Sequence, residues 1–416
     1  MFSLAYPQQR RLWPLLFATV PFMVQAAPLS YPAALDAAER NAPELAARAA
    51  GVAAARAAAI PAGALPDPKL LVGVDNLPVS GADRWRLNRD FMTMQKIGLS
   101  QELPNAAKRQ ARGEAAQAAV ARSEAERGLA RLTVRREVAD AWLARYYLEQ
   151  KLARLDELAQ QNELLAEARR AQLAGGRSGA AEALLARQEA AALAERRDEL
   201  ERDRRIAVAA LRRWLGDEGE APLVGEPPAY PVEAELLHQH LMLHPELTVA
   251  GQMASQTKAE LKEAEAGRRP DWGVEFAYQR RNPQYGDMVS VQFSLDLPLW
   301  QGSRQGPRIA AKQAELARVD AEREALLREH RQALDSDLAE YARLQSALTR
   351  QHETSLPLAQ QRAELQLAGY RAGRVALDEV LSARRELGEA RLKEIDLESQ
   401  RARLAARLHF AYGEAP

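Results

Sequence analysis

Of the side chains able to do chemistry, the histidines stand out first. The chain has six, and His238, His240 and His244 fall close together with Met242 between them. Imidazole and thioether are ligands that suit zinc or copper. On a continuous helix only His240 and His244, four positions apart, share a face, while His238 points elsewhere. Two ligands are one short of even an open zinc site. His240 and His244 are therefore weak metal candidates, and a solvated helix start is the better account of them, for want of a third convergent ligand. A second kind of chemistry is offered twice by arginine and carboxylate beside a glycine: Gly176, Arg177 and Glu182, then Gly373, Arg374 and Glu379 with Tyr370 next to them. An Arg–carboxylate bond is strong yet breakable by a competing contact. An arginine at such a place also simply complements a helix end.

Other chemistries are excluded. There is no cysteine, so thiolate catalysis and disulfides are absent. No HExxH, GxSxG or phosphate-loop pattern occurs. We expect neither an enzyme nor a cofactor. The 57 basic and 57 acidic residues cancel, which leaves no electrostatic footprint for nucleic acid.

The elements that hold these residues come in two copies. Residues 176–216 recur at 373–413 without a gap, with 13 identities in 41 positions. Each copy has a helical pattern, a glycine-containing break, and a second helical pattern that ends on glycine. Glycine supplies the positive φ of a sharp reversal, so each copy is an α-hairpin with the Gly-Arg turn at its tip. No proline interrupts residues 105–221, and the arm 105–171 would be roughly 100 Å long at 1.5 Å per residue. A rod of that length has to lie along other helices. Its counterpart runs from about residue 307 to the Tyr370 turn, interrupted only by Pro357.

Before each arm the period changes from helix to strand. Leu70, Val72 and Val74 alternate with Leu71, Gly73 and Asp75, and a second strand is expected over 91–103, closed by Pro104. Trp272, Val274, Phe276 and Tyr278, then Val289, Val291, Phe293 and Leu295, give the clearest period of two. Strands of about ten residues with one apolar face can cross a bilayer when tilted. Four strands cannot close a barrel, and open edges in lipid leave backbone groups unsatisfied. Closure would need several chains, and three copies give 12 strands. The alternative is a soluble α+β protein with small hairpins on a helical stalk. At the N-terminus, Arg10-Arg11, an apolar run and Val24-Gln25-Ala26 read as a secretory signal peptide over 1–26. The mature chain holds no apolar run of transmembrane-helix length.

The whole pattern resembles the TolC-like outer-membrane efflux family. The matching words are Asn41-Ala42-Pro43-Glu44-Leu45, Ser100-Gln101-Glu102-Leu103-Pro104, Leu295-Asp296-Leu297-Pro298-Leu299 and Tyr370-Arg371-Ala372-Gly373-Arg374. Residues 65–78 and 94–101 look like the heavy-metal branch, the cobalt-zinc-cadmium or copper-silver exporters. The resemblance implies a mainly α protein with a transmembrane β-barrel, built from two efflux repeats, 27–221 and 222–416. It implies a homotrimer whose 12-stranded barrel lies in outer-membrane lipid above an α-helical periplasmic tunnel. A periplasmic adaptor and an inner-membrane proton-driven pump would be its partners. By family position, Tyr370 and Arg374 would pair with Glu182 to close the tunnel end. Drug efflux or protein secretion would use the same fold, and a poreless periplasmic coiled-coil scaffold is a reading of another class.

Overall fold

The computed structural model of the chain describes residues 28–174 and 180–413, and the expected signal segment lies outside them. The first half opens with α1 (Tyr31–Asn41) and α2 (Pro43–Ala62). Ser30 caps α1 by accepting the Ala33 N–H at 3.3 Å, the bond that serine at this position is suited to make. Pro43 sets the break, since a residue before proline is pushed to extended backbone, and Ala42 has ψ 115°. Then come β1 (Lys69–Asp75), β2 (Met94–Leu103), α3 (Ala106–Ala174) and α4 (Ala180–Leu215). The second half repeats the order: α5 (Ala234–His240), α6 (Pro245–Ala266), β3 (Trp272–Arg280), β4 (Met288–Leu295), the arm α7 (Gln305–Arg350) and α8 (Leu356–Arg371), and the returning α9 (Leu377–Leu408). The duplicated plan of helices, strand pair and long helical hairpin is thus present.

Two boundaries differ from expectation. The second strand starts at Met94 rather than at residue 91. The Met92 N–H turns to the Asp90 carboxylate at 2.7 Å, and the Thr93 hydroxyl donates to the Asn76 carbonyl at 3.0 Å. Those bonds shape a loop instead of a ladder. Pro357 does not interrupt its arm. A π turn at Gln351–Ser355 joins α7 to α8. Proline lacks an N–H and crowds the carbonyl four residues back, and one wide turn absorbs both effects. Gln351 is buried there and donates to the Ala390 carbonyl of α9 at 2.9 Å.

A rod such as α3, with 69 residues, borrows its core from neighbours. Near the sheet it lies against α6 and α2, joined by Arg112–Glu263 at 2.7 Å, Lys262–Glu114 at 2.7 Å and Arg48–Glu126 at 3.0 Å. Further along it meets α9 through Arg403–Asp140 at 2.6 Å, and α4 through Leu152, Leu155 and Leu200. Between these zones the helices thicken into two apolar clusters. The first gathers Tyr31, Val138, Trp142, Leu211, Trp214 and Phe410. The buried Trp142 indole donates to the Leu29 carbonyl at 3.2 Å, and Leu29 pairs with Leu223 of the segment between the halves. The second cluster packs Leu237, Leu334, Leu344, Leu404, Leu408 and Tyr412.

Candidate functional site

The four strands form one antiparallel meander in chain order, with β1 and β4 as its edges. The register sets Val72 opposite Ile97, Ile97 opposite Tyr278, and Tyr278 opposite Val289. One step along, Leu70, Leu99, Phe276 and Val291 align in the same way. Side chains alternate across a sheet, so all eight share one face, and all eight are exposed, Val72 by 75%. Phe293, on the same face, is 72% exposed. The opposite face carries Lys69, Lys96, Ser100, Glu102, Glu275, Ser290, Gln292 and Ser294. Lys96 pairs with Glu275, and Lys69 with Glu102. Between Lys96 and Glu275 lie Gly98 and Ala277, where a Cβ on Gly98 would come within 2.7 Å of the Phe276 carbonyl. The polar face thus carries small residues at Gly98 and Ala277, where a larger side chain at Gly98 has no room. A continuous apolar face of this extent is foreign to the water-exposed surface of a monomer.

At the far end of the second arm, α8 closes with a Schellman motif. Gly373 has φ +71°, the Gly373 N–H donates to Tyr370 O at 2.9 Å, and the Arg374 N–H to Gly369 O at 2.9 Å. These two bonds satisfy carbonyls that a helix end leaves open. The turn packs Tyr370 and Leu367 on buried Leu377, Val380 and Leu381. Arg374 and Glu379 are exposed. Glu379 lies with Asp378 in the first turn of α9, where acidic side chains favour the helix dipole. Of the first tip, Gly176 and Arg177 lie outside the described residues, and so does the side chain of Glu182. The expected pairing of Tyr370 and Arg374 with Glu182 falls there too.

Among the described residues, the two hairpins meet below the tips. Arg385 of α9 binds Glu189 of α4 at 2.6 Å, and Lys151 of α3 binds Asp396. Between them is a groove of about 450 Å³, lined by Leu155, Leu158, Leu193, Leu381 and Arg384. Arg384 is half-buried and has no carboxylate partner among the described residues. Burial, helped by Arg371, holds its guanidinium below the usual arginine range. The sequence offered one signal for it, since Arg384 repeats Arg187 in the duplication.

His240 and His244 do not share a face. The helix breaks between them: α5 ends at His240, a 3-10 turn covers Leu241–Leu243, and His244 caps α6 ahead of Pro245. Proline at the first helical position forces that break. His240 Nδ1 lies 2.9 Å from the Tyr412 carbonyl. His238 pairs with Asp335 at 2.9 Å, and that bond raises its pKa above 6.5, aided by the Ala234 carbonyl. His244 is buried, with its ring 3.8 Å from that of His330. Burial pushes its pKa down to about 4, and His330 and Arg136 act in the same direction. His330 in turn meets Glu246 at 3.0 Å. Nothing local in the sequence marks His330, which reaches this place from the middle of α7.

Comparison with known proteins fits this geometry. The family described as outer membrane efflux protein matches residues 34–217 and 236–414. No curated protein matches the sequence. A membrane protein crystallised from Pseudomonas aeruginosa is 18% identical with a TM-score of 0.81, over 92% of this chain and 90% of that one. CusC, in structures that concern folding and transmembrane channel formation, is 17% identical over 98% of both chains, with a TM-score of 0.78. The outer membrane protein VceC of Vibrio cholerae is 19% identical with a TM-score of 0.78, over 92% of this chain and 96% of that one. At such identities the likeness is one of fold.

Proposed function

The chain belongs to the outer membrane efflux protein family, TolC-like channels of the outer membrane and not enzymes, and from that premise we propose that it is the passive exit duct of a tripartite efflux system. Three copies close their sheets into a 12-stranded barrel, and their helices form a tunnel across the periplasm. One observation carries this reading: the sheet has a continuous, exposed apolar face and two open edges. Lipid matches the first, and strands of neighbouring copies match the second, because unpaired backbone groups in hydrocarbon cost several kcal/mol each. The polar face, with Lys96 and Glu275, then lines the water-filled side. The same reading treats 1–26 as a signal peptide and divides the mature chain into repeats 27–221 and 222–416.

A duct does no chemistry, so energy comes from an inner-membrane proton-driven pump, joined to it by a periplasmic adaptor at the hairpin tips. Heavy-metal cations are the cargo, supported by the likeness of residues 65–78 and 94–101 to the metal-exporting branch. The purified mature chain is expected to need detergent, to have the mass of three copies, and to make planar bilayers conduct. A well-folded single subunit in plain buffer that never conducts would refute the channel. A deletion strain is expected to lose metal tolerance and to keep antibiotic tolerance; the reverse result would assign the duct to drugs.

A further inference from the structure

Three metal-ligating side chains converge where the sequence suggested only two. His244 caps α6, Glu246 sits in the first turn of the same helix, and His330 projects from α7. Their ligand atoms all lie within 4.8 Å of one another, the one such group of three among the described residues. The two rings face each other at 3.8 Å with a tilt of 37°. His330 Nε2 lies 3.0 Å from Glu246 Oε2. Tyr412 roofs the pair, its ring 5.3 Å from His244 and its hydroxyl donating to the His330 carbonyl at 3.4 Å.

We propose that His244, Glu246 and His330 bind a divalent transition-metal ion of the zinc class, which clasps the start of α6 to the middle of α7. Two imidazoles and one carboxylate form a donor set that zinc accepts, with the fourth position left to water. Burial differs in a useful way. The His330 side chain is 12% exposed and that of Glu246 44%, so the carboxylate stands at the mouth while the imidazoles lie within. Ligand atoms round a tetrahedral ion are roughly 3.4 Å apart at zinc bond lengths. The three ligand atoms, all within 4.8 Å of one another, need only small side-chain adjustments to reach that spacing. Two existing contacts compete, the first being His330 Nε2 with Glu246 Oε2 at 3.0 Å, which gives way if those two atoms take the ion. In the second, His244 Nδ1 accepts the Glu246 N–H at 3.2 Å, and ligation through either ring nitrogen ends that cap. The bond lies at the long end of the normal range, and an ion gives the helix start a new anchor in its place.

The other histidine pairs show what is special here. His238 with Asp335 and His352 with Glu394 each join one imidazole to one carboxylate, and neither gathers a third donor. The site lies in the second half only, because the residues that answer His244 and Glu246 in the first half are Ala42 and Glu44. It is therefore a clasp within each subunit, and it does not depend on what the duct carries.

The test uses the full mature chain in detergent, stripped with chelator and titrated with zinc. We expect one tightly held zinc per subunit, a rise in melting temperature on loading, and an anomalous zinc peak between the three residues in metal-soaked crystals. His330→Ala and Glu246→Gln should each weaken that binding by about tenfold or more and reduce the melting shift accordingly. His238→Ala, which alters a pair outside the site, should leave both unchanged. Wild-type protein that binds no zinc, or variants at 330 and 246 that bind it as tightly as wild type, would overturn the assignment. Equal loss in His238→Ala would do so too.

Discussion

Gly373 occupies the left-handed region at φ +71°, and a side chain there is disfavoured by about 1–2 kcal/mol. Gly373→Ala is therefore expected to loosen the second tip, read as faster amide hydrogen exchange over residues 369–377. Gly373→Asn should do so less, since asparagine tolerates that conformation. At the same turn, Tyr370→Phe and Arg374→Ala are expected to raise the single-channel conductance of the bilayer-reconstituted protein. Unchanged conductance in both would leave Arg374 as a helix-end cation only. His238 carries a pH signature. Its folded pKa is raised by Asp335, so its contribution is complete below about 6.5 and fades as pH rises through the folded value. Both partners are largely exposed, which keeps the effect on stability small. The pKa itself, followed by NMR, should return towards 6.5 in Asp335→Asn. At this scale the sequence was partly legible. The glycine turn followed from spacing alone, but the face shared by His240 and His244 assumed a helix that Pro245 forbids. His330 joins His244 through packing between α6 and α7, which no local pattern encodes.

Long helices and alternating strands were the most legible elements, because their periods persist over many residues. The register of the sheet was not, since pairing depends on which strands meet. The π turn was hidden as well. Pro357 announced a disturbance but not its form, and the buried Gln351 that anchors it lies six residues earlier. Close approach of rods was equally silent in the sequence. A Cβ on Gly388 of α9 would lie 2.8 Å from Leu158 Cδ1 of α3, so any side chain there has to displace the end of Leu158. Gly388→Val is expected to destabilise by about 1–3 kcal/mol through overpacking, with a lower melting temperature that Leu158→Ala restores in part. Arg385→Ala should cost more than an exposed pair's roughly 1 kcal/mol, since Arg385 is 57% exposed but the Glu189 side chain it leaves is only 12% exposed.

The whole molecule is polarised between a greasy sheet and charged rods. Its formal charge is balanced, so placement in the membrane depends on the apolar face. Val291→Arg on that face should cost about 2–4 kcal/mol in a bilayer near its midplane and lower the yield of conducting protein. Gln292→Arg, one residue on and facing the other way, should insert normally. Equal effects at both positions would contradict the assignment of faces.

The two open edges of the sheet also bear on inheritance. If every pore draws its wall from three chains, one copy with a broken margin spoils the pore it joins. A cell making sound and faulty copies in equal amounts, mixed at random, would keep only about one working pore in eight. Such an allele would behave as dominant, whereas simple loss of the gene would be recessive.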